Sequence, residues 1–378
     1  MIASSLVAKL DSSMSLGEIN EIIAQNSFPL VEGKAVTFLF VGQADHVAIR
    51  HWIFGLPSSL PMTRLGNTDI WYRAVEFPPG SRIEYKFGVE RNGHEEWVFD
   101  PLNKQVAYDP FGGNSVVHGS EYVSPEWSKE LPGVRRGQME TISIDSKSFG
   151  DQRNVRVYLP ARFRNYRRYR LLVVHDGDDY VKYSNLNHVL DNLMARNEIS
   201  PLIVAFTNPR DRLSEYANDP RHARHIVEEL IPELESRYPL ITQSSGRCIM
   251  GASFGGVASL STAWRYPGVF DWMLVQSGSF AFTDIGNHSR SPVFDPVVDF
   301  MNEFRKSPGQ PVKQAYVSCG VYESLIYENR SLVPFLRRHN INTKFEEAYD
   351  GHNWENWRDR LRNGLSWLFP GRLWETYM

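Results

Sequence analysis

Residues 249 to 256 read Ile249-Met250-Gly251-Ala252-Ser253-Phe254-Gly255-Gly256, and this stretch constrains the fold more than any other. A short apolar run leads into Gly-x-Ser-x-Gly (Gly251, Ser253, Gly255), and a segment of helical character follows. That order builds a strand, a sharp turn and a helix, with the serine Oγ held clear of the sheet at the helix start. Glycine at 251 and 255 removes side chains that would collide in so tight a turn. The positive end of the following helix faces any oxyanion that forms beside the serine. A Gly/Ser-rich turn without chemistry has the same letters, so the organisation around it decides.

At 378 residues the chain has room for two domains, each with its own core. Hydrophobic content of 42% and charged content of 22% describe an ordinary globular protein. The formal net charge of -3 gives no global attraction to nucleic acid or to an anionic membrane. The run Arg162 to Arg170 mixes arginine with aromatics, but it lies between two apolar strands and reads as a solvated basic loop. Cys248 and Cys319 each sit in an apolar strand-like run. Two thiols make at most one bridge, and both read as buried thiols of a reducing compartment. Residues 1–34 carry no basic region leading into a continuous apolar core, so no signal peptide or membrane span is expected and the cytoplasm is the default.

The chain changes character near residue 135. Before it, period-two strands are predicted at Ala35–Phe40, His46–Ile49, Ile70–Val75 and Arg82–Val89, with turn formers about every ten residues, which argues for an antiparallel sandwich. Residues 100–119 read as a long closing loop and 120–138 as a linker. From about 139, strands alternate with helices: Glu140–Ile144, Asn154–Leu159, Arg170–His175, Leu202–Phe206, Gly246–Met250, Trp272–Gln276, Gln314–Cys319 and Thr343–Ala348. Near-continuous apolar strands joined by helices imply a mainly parallel sheet covered on both faces. The expected division is a helical segment over 1–30, a β-sandwich over 31–135 and an α/β domain over 136–378.

A nucleophilic serine needs a base to take its proton and an acid to orient that base. On a sheet of this kind both partners are looked for on loops that follow later strands. After Val317-Ser318-Cys319-Gly320 comes Glu323, and after the last strand comes His352, between Gly351 and the terminal helix. Ser253, Glu323 and His352 are the expected catalytic residues. The oxyanion donors are expected to be the amides of Phe254 and of Asp178, the latter in the loop His175-Asp176-Gly177-Asp178-Asp179-Tyr180. Asp-Gly-Asp-Asp lacks the remainder of a calcium loop, so no metal is expected. Arg212 lies on another post-strand loop, where it either clamps an anionic or catecholate substrate or pairs with Glu215 and braces the loop.

Gly251-Ala252-Ser253-Phe254-Gly255-Gly256, with Gln276-Ser277-Gly278-Ser279 and Asp350-Gly351-His352-Asn353-Trp354-Glu355-Asn356-Trp357-Arg358, resembles the enterochelin esterase family within the esterase D group of α/β-hydrolases. Arg212 to Tyr216 and the helix Ile226–Tyr238 fit the same pattern. The resemblance covers residues 140 to 370, and Asn353 departs from it where many relatives carry Asp. The part before it, with Trp71, Tyr85-Lys86-Phe87 and Asp100-Pro101-Leu102-Asn103, looks like the immunoglobulin-like early-set domain that precedes such hydrolases.

The resemblance implies an α/β-hydrolase fold after a small all-β sandwich, and ester hydrolysis without metal or cofactor. It implies Ser253, Glu323 and His352 as triad and Phe254 and Asp178 as oxyanion donors; Arg212 and Trp354 are the expected substrate contacts. The expected partner is a small-molecule ester, with no nucleic acid and no membrane, and a homodimer is left open. The best-known members open a siderophore trilactone; relatives cleave feruloyl or acetyl esters of plant polysaccharides. A glycan-binding role for the sandwich would use Trp52, Trp71, Tyr72 and Trp97, although core packing is the simpler use of those rings.

Overall fold

The computed structural model describes residues 5–10, 14–284 and 287–371. The chain divides into two compact units. One comprises Met1–Ser124 with Gly320–Ser324 and Ala348–Asn353, and the other Pro125–Cys319, Leu325–Glu347 and Trp354–Met378.

In the first unit, α1 (Ser5–Lys9) and α2 (Leu16–Gln25) precede the strands; residues 1–4 and 11–13 of the expected helical segment lie outside the described residues. Ser15 caps α2 and Glu18 reaches back to it in a capping box, which satisfies amide donors that the first turn leaves unpaired. The strands are β1 (Leu30–Glu32), β2 (Ala35–Val41), β3 (His46–His51), β4 (Ser59–Pro61), β5 (Thr63–Arg64), β6 (Ile70–Glu76), β7 (Arg82–Arg91), β8 (His94–Val98), β9 (Val106–Asp109) and β10 (Gly112–His118). They form a sheet in the order β1-β2-β6-β5 and a second in the order β4-β3-β7-β10-β9, with β8 also on β7.

The pairings in both sheets are antiparallel. Phe38, Phe40 and Trp71 from the first sheet and Ile49, Tyr85 and Phe87 from the second share one apolar layer. Phe38 meets Tyr85 edge-on at 4.8 Å. Each such large side chain removed from water contributes roughly 1.5–3 kcal/mol. The expected loop over 100–119 is corrected: β9 and β10 form a hairpin there, and β10 pairs with β7. The turn formers Asp109, Pro110 and Gly112 mark its tip rather than an open loop. Of the four proposed sugar-stacking rings, Trp71 is core and Tyr72 is partly buried, whereas Trp52 and Trp97 are about half exposed (52% and 50%).

The second unit holds β11 (Gln138–Ser146), β12 (Asp151–Leu159), β13 (Arg170–His175), β14 (Leu202–Thr207), β15 (Arg247–Ala252), β16 (Trp272–Gln276), β17 (Gln314–Gly320) and β18 (Asn342–Ala348). Their order is β11-β12-β14-β13-β15-β16-β17-β18. β11, β12 and β14 pair antiparallel, and β14, β13, β15, β16 and β17 pair parallel. Each expected strand is present within a few residues.

The helices of this unit are α3 (Gly177–Ser184), α4 (Leu186–Ala195), α5 (Arg212–Tyr216), α6 (Pro220–Arg224), α7 (Ile231–Arg237), α8 (Phe254–Arg265), α9 (Asp295–Lys306), α10 (Ile326–Arg338) and α11 (Trp354–Leu368). A π-helical turn, His225–Leu230, joins α6 to α7 without a break in helical backbone, so the expected helix Ile226–Tyr238 begins in that turn and continues as α7. Alternate residues of one strand serve opposite cores: Leu171 and Val173 face the cluster that includes α8 and α9, while Leu172 and Val174 face the cluster that includes α4 and α11. Burial of both faces explains why these strands read as unbroken apolar runs.

The second unit takes up the chain at Pro125. Trp127 packs into the α4/α11 cluster, and Asn192 Nδ2 donates to the Trp127 and Lys129 carbonyls at 2.8 and 2.7 Å. Among the described residues, no helix is long and apolar enough to cross a membrane.

Candidate active site

Strand β15 ends at Ala252, and Ser253 takes φ 56° and ψ -123° before α8 begins at Phe254. A β-carbon disfavours that conformation, and non-glycine residues hold it only where the surroundings impose it. Here the chain is packed backbone on backbone. A Cβ at Gly251 would lie 2.3 Å from the Gly255 carbonyl oxygen, and one at Gly256 3.1 Å from Gly278 Cα. The Ser253 amide donates to the Gln276 carbonyl at 3.0 Å, and the Ser279 amide donates to the Ser253 carbonyl at 3.1 Å. Ser253 Oγ lies 3.2 Å from Ser279 Oγ. The Phe254 amide, first in the helix, has no intrahelical acceptor.

A buried polar layer supports this elbow. The Asp176 backbone is left-handed, with φ 54°, and its carboxylate accepts from Arg212 Nε at 3.0 Å and Nη2 at 2.8 Å. Its amide donates to the Tyr216 hydroxyl at 3.1 Å. Burial pushes the Asp176 carboxyl upward, and Arg212 pulls the other way. Burial also opposes the Arg212 charge, but Asp176 outweighs it and the guanidinium is held protonated.

His175 Nε2 and His222 Nε2 are 2.8 Å apart. Desolvation pushes His175 down to about 4 and His222 well down, so both rings are neutral and one donates to the other. Tyr180 Oη donates to Gln276 Oε1 at 2.9 Å, and Gln276 Nε2 donates to the Trp357 carbonyl at 2.8 Å. The side-chain amide thus ties β16 to α11.

Three expectations for this unit are corrected. Arg212 does brace a loop, but its partner is Asp176; Glu215 instead accepts from Arg153 Nη1 at 3.0 and 2.9 Å. The Asp178 amide donates to Asn208 Oδ1 at 3.0 Å, so in this conformation it is engaged and not offered to an oxyanion. Trp354 is only 7% exposed. It packs against Tyr180, Tyr183 and Trp357 with ring centroids 5.1, 5.9 and 4.7 Å away, which makes it part of the packed core.

In the first unit, Glu323 and His352 are together. Glu323 follows β17 by three residues, is buried, and accepts the Gly320 amide on Oε1 at 2.7 Å. Its Oε2 lies 2.5 Å from His352 Nδ1. A carboxylate can only accept, so the neutral ring carries its proton on Nδ1 and keeps a lone pair on Nε2. The His352 side chain is 36% exposed while that of Glu323 is 2% exposed, so the acid is the buried member of the pair.

Sequence reasoning missed Asp176 as the Arg212 partner and Ser279 as the neighbour of the Ser253 hydroxyl. The signals were an acidic residue at a strand end opposite a post-strand arginine, and a second hydroxyl in Gln276-Ser277-Gly278-Ser279.

A family model described as "Putative esterase" matches residues 146–368. The chain belongs to that esterase family. The iron(III) enterobactin esterase of Dickeya dadantii (strain 3937) is 22% identical over a gapped alignment of 436 positions that covers 97% of each chain. The uncharacterized protein YjcH of Bacillus subtilis (strain 168) is 27% identical over 249 residues, 61% of this chain and 97% of that one. Among solved structures, the enterobactin esterase from Shigella flexneri in the presence of enterobactin superposes with a TM-score of 0.71 at 19% identity, covering 91% of this chain and 94% of that one. A ferulic acid esterase from Anaeromyces mucronatus superposes at 0.53 and 17% identity over 64% of this chain and 94% of its own. The protein is a serine-type esterase of the enterochelin esterase-like group, with an α/β-hydrolase-like catalytic fold.

Proposed function

We propose that this esterase cleaves carboxylic esters through Ser253, with His352 as general base and Glu323 as the acid that holds it. The observation that carries the reading is the strained backbone of Ser253 between β15 and α8; such strain costs of order 1–3 kcal/mol and clusters at functional sites. The Glu323–His352 hydrogen bond, with the imidazole Nε2 left as an acceptor, supports it. So does the order Ser253, Glu323, His352 along the chain.

In the proposed cycle, His352 Nε2 takes the Ser253 hydroxyl proton as Oγ forms a bond to the ester carbonyl carbon. The oxyanion accepts the Phe254 amide at the start of α8. The carbon–alkoxy bond then breaks, and the imidazolium returns the proton to the departing alcohol. A water molecule, deprotonated by His352, attacks the acyl-enzyme and frees the acid and Ser253. The Asp178 amide enters as a second donor once Asn208 Oδ1 gives way. Arg212, with 35% of its side chain exposed beside Asp176, is proposed to face an anionic or catecholate group while it braces the loop.

The substrate class we favour is a catecholate siderophore ester, on the names of relatives that align over most of the chain. A carbohydrate esterase is the second reading, favoured by acetyl esterase and feruloyl esterase relatives. We read the two-sheet unit as an immunoglobulin-like early-set sandwich. The exposed Trp52 and Trp97, edge-to-face at 6.3 Å, keep glycan binding as a further role for it.

The test incubates wild type and Ser253→Ala with ferric enterobactin, a feruloyl oligosaccharide, an acetylated xylo-oligosaccharide and p-nitrophenyl esters, with products read by mass spectrometry. Serine-dependent release of dihydroxybenzoylserine supports the siderophore reading, and serine-dependent turnover of only the sugar or small esters favours the second. Equal turnover by both proteins on every ester overturns the mechanism.

A further inference from the structure

The loops that carry Glu323 and His352 are held by the first unit's own strand ends. Arg82, at the start of β7, is fully buried, with a side chain 0% exposed. Its Nη1 donates to Asp350 Oδ1 at 3.3 Å and to Asn353 Oδ1 at 3.0 Å, the residues two before and one after His352. Its amide donates to the Tyr349 carbonyl at 2.9 Å. Nη2 is fixed by Glu84 Oε1 at 3.0 Å, and Glu84 Oε2 is in turn held by Asn114 Nδ2 at 2.8 Å.

The His352 turn is also stiffened internally: Asp350 Oδ1 accepts the Gly351 amide at 2.7 Å and Asn353 Nδ2 at 2.8 Å. The Glu323 loop is gripped from the same side. Tyr322 Oη lies 2.8 Å from Ser81 Oγ, beside Arg82, and the Tyr322 carbonyl accepts the Phe54 amide at 2.7 Å. The two loops are joined by the Tyr322 amide, which donates to the Asp350 carbonyl at 3.1 Å.

A guanidinium buried among these acceptors is a rigid fork that holds two groups of one turn in a single geometry. We propose that Arg82 is a positioning residue for the His352–Glu323 pair, and that the N-terminal unit is thereby part of the catalytic machinery and not an appended module. The inference rests on the reading of Ser253, Glu323 and His352 as the triad. Displacing a reacting group by about 1 Å costs on the order of 100-fold in rate, and loss of Arg82 frees the turn on both sides of the imidazole.

The experiment uses the full chain with p-nitrophenyl butyrate, measuring kcat, KM and the thermal midpoint of wild type, Ser253→Ala, Arg82→Met, Arg82→Lys, Tyr322→Phe and Asn353→Ala. Arg82→Met is expected to lower kcat by about 100-fold with KM within about threefold. Arg82→Lys should recover part of the loss, because an ammonium still reaches Asp350.

Should Arg82→Met fail to fold, Tyr322→Phe and Asn353→Ala decide, each expected to lower kcat about tenfold at unchanged KM. A folded Arg82→Met with wild-type kcat overturns the proposal. So do wild-type kcat values in both of the other variants, or a loss that Arg82→Lys does not relieve at all. An active Ser253→Ala would instead remove the triad reading on which the inference stands, and that outcome is recognised independently of the Arg82 variants.

Discussion

Gly251→Ala tests how much of the activity depends on the packed elbow. The added Cβ would meet the Gly255 carbonyl oxygen at 2.3 Å, its carbon at 2.4 Å and Gly255 Cα at 3.0 Å. Contacts of this kind relax to about 3.5 Å, so the overlap is on the order of 1 Å. All three atoms are backbone of the first turn of α8, and no side-chain rotation relieves them. The strand end and the helix start must separate, which carries Ser253 and the Phe254 amide with them.

Overpacking of this kind costs about 1–3 kcal/mol, or a drop of roughly 5 °C in the midpoint of a unit this size. A 1 Å displacement of the nucleophile lowers kcat about 100-fold. Gly255→Ala is the internal control. Its Cβ would meet Asp176 Oδ2 at 3.2 Å and His175 Cβ at 3.3 Å, a shortfall of tenths of an ångström, and alanine gains up to about 1 kcal/mol over glycine within a helix. Hydrolysis of p-nitrophenyl butyrate and thermal melts of both variants decide. Gly251→Ala with wild-type kcat and midpoint, or equal effects at 251 and 255, would refute the steric account of the motif.

Two further outcomes follow from the buried groups. Trp354→Ala empties a site lined by Tyr180, Tyr183 and Trp357 and should cost about 3–5 kcal/mol of stability in urea denaturation; a change in KM at unchanged stability would return Trp354 to the substrate side. Stability should also fall with acid. Burial holds His175 down at about 4 against about 6.5 in an unfolded chain. The unfolded state therefore takes up the proton first, and stability present above about pH 6.5 is lost as pH falls toward 4. Glu229 extends the loss to lower pH: burial alone would raise it, but hydrogen bonds from Ser146, His225 and Ser148 together hold it at about 2. The urea midpoint should be lower at about pH 4.5 than at pH 7, and equal midpoints would contradict the neutral His175–His222 pair.

The sequence by itself determined what local chemistry determines. Apolar runs of strand length set the central strands β13 to β17 of the second unit, because burial on both faces demands near-continuous apolar residues. Gly251, Ser253 and Gly255 set the elbow, because sterics within a few residues leave it no alternative. That Ser253, Glu323 and His352 each lie just after a strand was legible for the same reason. Tertiary structure alone decided which partner each polar group takes. Arg212 pairs with Asp176 and not the nearer Glu215, and the Asp178 amide is taken by Asn208. Trp354 turns inward, although an aromatic two residues after a post-strand histidine reads equally well as facing a substrate. Trp127, in a stretch that reads as linker, packs into the second unit's core. Arg82 lies 268 residues from Asp350 in the chain. Periodicity and turn sterics act between near neighbours and are written in the order of residues, whereas the choice among competing acceptors depends on which groups the finished fold deprives of water together.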